Sequence, residues 1–296
     1  MLYLCATPIG NLGDISERVL DALRSVDVIA AEDTRQTIKL LNHFDIKKQM
    51  IAYHEHNRYE MTPVLVERML DGEDIALVTD AGTPAISDPG EDLVRECRKA
   101  GVAVTSLPGA TAFTTALTLS GMSARRFTFE GFLPQDKKEQ KQVLERLKDT
   151  TVTTIFYEAP HRIIKTLELM KQYVDGPVFE ANDNGDVDEN NPKKRSLVIC
   201  KELTKKHEWS MQFDSVESAL AYFRKDEPKG EFVIVIEGCD EEELKAKEIA
   251  AWSELSIEEH MDVYLSQGMD KKEAMKAVAK DRGVSKRDVY QALLNN

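Results

Sequence analysis

The chain has 296 residues, and 52 acidic against 39 basic side chains leave a formal charge of −13. Hydrophobic residues at 42% and charged residues at 31% describe a water-soluble protein with well-filled cores, long enough for two domains and a small appendage. That balance excludes a protein that coats nucleic acid over its whole surface and a basic helix adsorbed to a membrane.

The longest clean apolar run, Phe232 to Ile236, is far too short to span a bilayer. The first residues lack a basic stretch and are broken by Pro8, so no secretion signal is expected. Cys5, Cys97, Cys200 and Cys239 lie far apart and form no C-x-x-C pair, and the six histidines are scattered. No metal site is expected; small buried thiols in a reducing, cytoplasmic compartment are.

The first 110 residues alternate short β-type runs with helical patterns. Strands are predicted at Tyr3–Ala6, Val28–Ala31, Met50–Tyr53, Ile75–Thr79 and Val102–Leu107. Val19, Leu20, Leu23 and Val26 mark one apolar helical face. Thr62-Pro63 reads as a helix start, and Glu91–Ala100 as a helix stopped by Gly101. Strands separated by helices require crossover connections, so this domain, taken as 1–116, is a mainly parallel α/β sheet.

A second α/β domain, 117–240, follows a small apolar helix within Pro108–Gly121. Its predicted elements are Phe127–Gly131, a charged helix over 135–148, the strand Val152–Tyr157 and a helix from Ala159 to Tyr173. Ser196–Leu203, a helix near 215–224 and Phe232–Glu237 complete it. The acidic, Asn-rich stretch 180–192 carries too little apolar surface to offset its ordering entropy and reads as a mobile loop between strands. The tail, 241–296, is helical. A helix from Lys272 burying Ala274, Ala277 and Val278, a turn at Gly283 and a second helix capped by Ser285 and carrying Val289 and Leu293 outline a helix-turn-helix unit. It is locally basic, and both nucleic-acid binding and plain packing remain open for it.

In an open parallel sheet, ligands bind outside the carboxyl ends of the strands. The five first-domain strands run into Thr7–Asp14, Glu32–Arg35, His54–Asn57, Asp80–Gly90 and Pro108–Ala112, and their convergence predicts a binding cleft. The fourth loop is the most informative, because small side chains and prolines give a rigid backbone that a ligand can approach closely. Neither G-x-x-x-x-G-K-[ST] nor G-x-G-x-x-G is present, which disfavours a nucleoside triphosphatase and an ordinary dinucleotide oxidoreductase.

The blocks Ala6-Thr-Pro-Ile-Gly-Asn-Leu-Gly-Asp-Ile15, Ala31-Glu-Asp-Thr-Arg35 and Asp80-Ala-Gly-Thr-Pro-Ala-Ile-Ser-Asp-Pro-Gly90 resemble the bacterial 16S rRNA ribose 2′-O-methyltransferases of the tetrapyrrole methylase superfamily. His54-Glu-His-Asn57, Glu130-Gly-Phe-Leu-Pro134, Ile155-Phe-Tyr-Glu158 with His161-Arg162, Lys201-Glu-Leu-Thr-Lys205 and Lys229-Gly-Glu231 extend the likeness over most of the chain. The resemblance implies S-adenosylmethionine bound between two α/β domains of a homodimer. It implies as acceptor a cytidine ribose in the decoding region of the small ribosomal subunit. Matched to superfamily positions, cofactor contacts fall on Pro8, Ala81, Gly82, Thr83, Ile86, Thr111, Ala112, Glu158 and Lys201. Lys201 stands where the motif usually has Arg and loses the planar fork, and 181–192 looks like an insertion.

A ribose hydroxyl becomes a good nucleophile only when its proton is withdrawn. With the cofactor on the first, fourth and fifth loops, the second and third, carrying Glu32, Asp33, Arg35, His54 and His56, are expected to face the acceptor. The competing reading makes Glu32–Arg35 a structural ion pair and the histidines loop stabilisers. Phosphate contacts are expected among Arg125-Arg126, Lys137-Lys138 with Lys141, 193–195, Lys205-Lys206 and the tail. Two alternatives stay open: a methylase of a tetrapyrrole or other small molecule, and a ligand-sensing regulator that binds nucleic acid through its tail.

Overall fold

A computed structural model describes residues 1–174, 194–253 and 255–294. The expected acidic loop at 180–192 lies outside the described residues. The first domain holds β1 (Leu2–Cys5), α1 (Glu17–Ser25), β2 (Val28–Ala31), α2 (Thr34–His43), β3 (Gln49–Ala52), α3 (Arg58–Leu70), β4 (Ile75–Val78), α4 (Gly90–Lys99) and β5 (Val104–Leu107). Its five strands are all parallel, in the order β3-β2-β4-β1-β5. The five predicted strands are present, each within two residues of its expected bounds.

Every residue of β2 and β4 is buried, as continuous apolar runs are when helices cover both faces of a sheet. Residues of α1 and α2 (Val19, Leu23, Leu41) pack on one face with Ile29, Ala31, Ala76 and Val78. Residues of α3 and α4 (Leu65, Met69, Leu93, Cys97) pack on the other with Leu2, Ala30, Ile75 and Leu77. The helix predicted to start at Thr62-Pro63 begins earlier, at Arg58, with Pro63 inside it. At this interior position proline donates no hydrogen bond and its ring crowds the Tyr59 carbonyl, a cost of about 3 kcal/mol that the packing of Leu65 and Met69 offsets.

The second domain comprises α5 (Ala112–Ser120), β6 (Phe127–Phe132), α6 (Lys137–Asp149), β7 (Thr153–Glu158), α7 (Ile163–Val174), β8 (Leu197–Lys201), β9 (Trp209–Phe213), α8 (Val216–Phe223) and β10 (Phe232–Ile236). Its sheet runs β6-β7-β10-β8-β9, parallel between β6 and β7 and antiparallel elsewhere. The edge strand β9 was not among the predicted elements, although Trp209, Met211 and Phe213 alternate with polar residues. The expected division at 116/117 falls inside α5, a single helix whose Ala116 and Leu117 pack on Ile155, Val198 and Val235 of the second sheet.

The tail forms α9 (Glu241–Ser253), α10 (Ile257–Ser266), α11 (Lys271–Asp281) and α12 (Lys286–Leu294). The last two reproduce the predicted pair, with Gly283 at φ 63° in the turn and the Ser285 hydroxyl accepting from the Asp288 N–H at 3.2 Å. Ala274, Val278, Ala279, Val289 and Met261 of α10 make a separate small core, whereas Ala277 is half-buried. No helix among the described residues is long and apolar enough to cross a membrane. Burial pushes the Cys5 thiol up to about 12 and those of Cys97 and Cys200 to about 11, so none is a ready nucleophile.

Candidate active site

The strand order places β1 beside β4, yet the chain leaves β1 for α1 on one face and β4 for α4 on the other. Connections departing to opposite faces from adjacent strands open a crevice at the carboxyl end of the sheet. The two loops are tied across it: Thr7 N–H donates to the Gly82 carbonyl at 2.9 Å and Gly82 N–H to the Thr7 carbonyl at 3.1 Å. A fifth-strand loop joins them through the Thr83 and Thr111 hydroxyls, 2.7 Å apart. The second-strand loop joins through the Asp33 N–H, which donates to Asp80 at 3.2 Å.

The loop from Asp80 to Gly90 is held by one carboxylate. Asp88 accepts from the Ala85, Ile86 and Gly90 N–H groups at 3.0, 3.0 and 2.8 Å. This clamp fixes Ala85 at φ 66° and Ser87 at φ 64°, left-handed conformations that cost side-chain-bearing residues of order 1–3 kcal/mol. Strain of this kind persists where surroundings over-determine the backbone. The loop therefore presents bare peptide groups in a fixed arrangement.

The crevice continues into a cleft of about 400 Å³ between the two domains, within the range of small-molecule sites. The first domain lines it with Ile9, Glu32, Thr79, the 80–88 loop and Thr111, and the start of α5 adds Ala112. The second closes it with Phe132, Tyr157, Glu158, Glu202, Lys205 and Val233. A Cβ on Gly10 would meet Lys205 Cγ at 2.3 Å and Thr204 Oγ1 at 2.9 Å. The first loop and the Glu202–Lys205 loop thus touch backbone to side chain, and a larger residue would drive the domains apart.

Of the residues predicted to bind cofactor, Ala81, Gly82, Thr83, Ile86, Thr111, Ala112 and Glu158 line this cleft. Pro8 lies beside it, between Thr7 and Ile9, without lining it. Lys201 does not line it: alternation along β8 turns Lys201 to the α8 side of the sheet, with Ile199, and its place at the cleft is taken by Glu202. Glu158 is 1% exposed, and both its oxygens are engaged, by the Ala159 N–H at 2.8 Å and by the Thr166 hydroxyl at 2.5 Å. With Arg162 at 3.4 Å it ties the end of β7 to α7.

Among the residues predicted to face an acceptor, Glu32 alone lines the cleft. Burial, reinforced by repulsion from Asp80 and Asp88, raises its pKa above the ordinary carboxyl value. Burial and the nearby Asp33 carboxylate raise Asp80 too. Asp33 instead caps α2, accepting from the Arg35 N–H and guanidinium at 2.8–3.0 Å, which holds its pKa at about 2. Asp33 and Arg35 are thus a cap and an exposed ion pair. His54 and His56 follow β3, which the strand order puts at the sheet edge, and their loop does not line the cleft. His54 is half-buried, and its Nδ1 has no hydrogen-bond partner among the described residues. His56 is exposed, its ring centred 6.0 Å from that of His54.

The model of the family described as Tetrapyrrole (Corrin/Porphyrin) Methylases matches residues 1–208. The chain belongs to the tetrapyrrole methylase family. Relatives named "Ribosomal RNA small subunit methyltransferase I" include one from Halalkalibacterium halodurans, 45% identical over 98% of this chain and 93% of its own length. The Bacillus subtilis protein of that name is 43% identical over 99% and 93%. Among solved structures, a diphthine synthase superposes with a TM-score of 0.58 at 16% identity, covering 82% of this chain and 93% of its own. A Thermus thermophilus uroporphyrin-III C-methyltransferase complexed with S-adenosylhomocysteine gives 0.52 at 13%, covering 79% and 96%. At such identities these structures show the tetrapyrrole methylase fold alone. Its two-domain cleft is what this methyltransferase builds from its strand ends.

Proposed function

We propose that the protein transfers a methyl group from S-adenosylmethionine to the 2′ hydroxyl of a cytidine ribose in the decoding region of 16S rRNA. The observation that supports this most is the cleft at the β1/β4 crevice, with a strained main-chain loop on one wall and one carboxylate of raised pKa on another. The kinship with small-subunit rRNA methyltransferases, at up to 45% identity over nearly the whole chain, supports the acceptor class.

The residues present fit this donor. The peptide groups of Asp80–Ile86 and the paired Thr83 and Thr111 hydroxyls would hold its polar parts, and the amino end of α5 at Ala112 favours a negatively charged group. The bound donor supplies an electrophilic methyl on a sulfonium, which is already a good leaving group. Holding the acceptor in line is then the main task of the protein, and well-oriented reactants gain up to roughly 7–11 kcal/mol.

Glu32 withdraws the hydroxyl proton. Its raised pKa makes it a stronger base than an exposed glutamate. His54, in the loop after the edge strand, favours the ionised form of that carboxylate. Asp33 and Arg35 hold the α2 end of the loop in register. The exposed Lys286 and Arg287 at the start of α12 meet RNA phosphates. The protein works in the cytoplasm, where small subunits are made, and as a homodimer.

Incubation with labelled S-adenosylmethionine and undermethylated small ribosomal subunits tests the reading. Label in a ribose of the subunit RNA is the expected result. Label confined to small molecules would transfer the cleft to tetrapyrrole-like acceptors, and binding without transfer would leave a ligand-sensing regulator.

A further inference from the structure

At the cleft end of the second sheet, directly paired residues form a row across four strands. Glu158 on β7 lies opposite Phe232 on β10, Phe232 opposite Lys201 on β8, and Lys201 opposite Trp209 on β9. Paired residues project from the same face, and strands about 4.8 Å apart put Trp209 roughly 14 Å from Glu158 along the row. Beyond Phe232 a second groove opens, of about 200 Å³. Phe232 lines both it and the cleft, so the two share one side chain at the end of the sheet.

The groove is walled by Trp209 and Tyr222, whose rings meet edge to face at 6.0 Å. Lys201, Lys225 and Lys229 also line it, together with Asp226 and Glu227. Core packing explains the buried Phe223 and Phe232 but not Tyr222, which is 39% exposed. Lys171, Lys194 and Lys205 each pair with a glutamate. Lys201, Lys225 and Lys229, by contrast, have no carboxylate within 4.0 Å among the described residues. Aromatic rings beside cations that outnumber the acids and are held in no close ion pair are what an unpaired base with its phosphates selects. An acidic protein must place its cations where phosphates arrive, since its mean charge repels them.

We propose that this groove, between β9 and the 224–231 loop, binds an unpaired nucleobase of the RNA close in sequence to the acceptor nucleotide. The base stacks on Trp209 and Tyr222, and Lys201, Lys225 and Lys229 hold its flanking phosphates. The proposal rests on RNA as the acceptor at the cleft.

Trp209 and Trp252 are the two tryptophans of the chain, so a Trp252→Phe background makes Trp209 the sole indole reporter. A short unstructured RNA added to the full-length protein is expected to quench that emission, less so as salt rises. Tyr222→Ala should raise the KM for undermethylated small subunits roughly 5- to 150-fold, the loss of one stacked base. kcat and S-adenosylmethionine affinity should hold. Tyr222→Phe, which keeps the ring, should restore KM, and Lys225→Glu with Lys229→Glu should raise KM and flatten its salt dependence. Unchanged KM in these variants and an unmoved Trp209 signal, with wild-type methylation of RNA intact, would overturn the groove and leave the cleft assignment standing. A wild-type protein that labels no RNA would overturn both.

Discussion

Replacing Glu32 by Gln separates the chemistry of the cleft from its architecture. The Glu32 carboxylate accepts one long hydrogen bond in the cleft, from the Asp80 N–H at 3.4 Å. An amide oxygen of the same shape can keep that bond, so the loop is expected to hold and donor affinity to stay within about twofold. What is lost is proton acceptance. A positioned base contributes about 10²–10⁴-fold, or roughly 3–5 kcal/mol of barrier at 1.36 kcal/mol per decade, and kcat should fall by that factor. The pH profile carries the sign. Wild-type turnover falls as pH drops through the Glu32 pKa, which burial and the neighbouring carboxylates hold above the ordinary 4.5. The variant should lose that acid limb. Stability moves the other way: a carboxyl whose folded pKa is raised disfavours the fold once ionised. Glu32→Gln should therefore be the more stable form at neutral pH, and the difference should vanish below the unfolded pKa, where both side chains are neutral. Single-turnover methylation across pH, with urea unfolding in parallel, measures both. Wild-type kcat with an unaltered acid limb would refute Glu32 as the base.

Thr166→Val removes the hydroxyl donor from a carboxylate oxygen of the fully buried Glu158. Urea unfolding should show a loss of about 1–3 kcal/mol, and an unchanged midpoint would mean that the oxygen finds another donor. Arg35→Gln should let Asp33, held at about 2, titrate closer to 3.8, as followed by carboxyl NMR. The contribution of that pair to stability is present above the unfolded value and lost as pH falls through about 2. An Asp33 resonance that titrates as in wild type would show that the cap alone sets its pKa. Lys286→Ala with Arg287→Ala should weaken RNA binding and lower its salt dependence while donor affinity, by calorimetry, stays unchanged. Equal RNA affinity at every salt concentration would assign α12 to packing.

Much of the molecule was legible in its residues. The apolar runs of β2 and β4 with helices between them pointed to a parallel sheet covered on both faces, because parallel neighbours need crossover connections and doubly covered strands are apolar throughout. The Gly- and Pro-rich Asp80–Gly90 stretch marked the loop that lines the cleft, since small residues on a rigid backbone are a local property. Gly283 and Ser285 fixed the last helical turn for the same reason. The family resemblance made Ala81–Thr83 and Thr111–Ala112 candidates together, although nothing local brings the Thr83 and Thr111 hydroxyls within 2.7 Å.

Other features depended on strand order and on strand phase, which no local pattern carries. The order β3-β2-β4-β1-β5 put the crevice beside β4 and left His54 and His56 at the sheet edge, although their loop is as polar as the others. A one-residue alternation along β8 sent Lys201 away from the cleft and Glu202 into it. The second-domain wall, Phe132, Tyr157 and Val233 with Lys205 from the loop after β8, depends on strands whose pairing is mostly antiparallel and long-range. Propensity and periodicity thus set each element and its buried face. Which ends meet across a cleft is decided by non-local packing, because burial rewards the assembled sheet and not any strand taken singly.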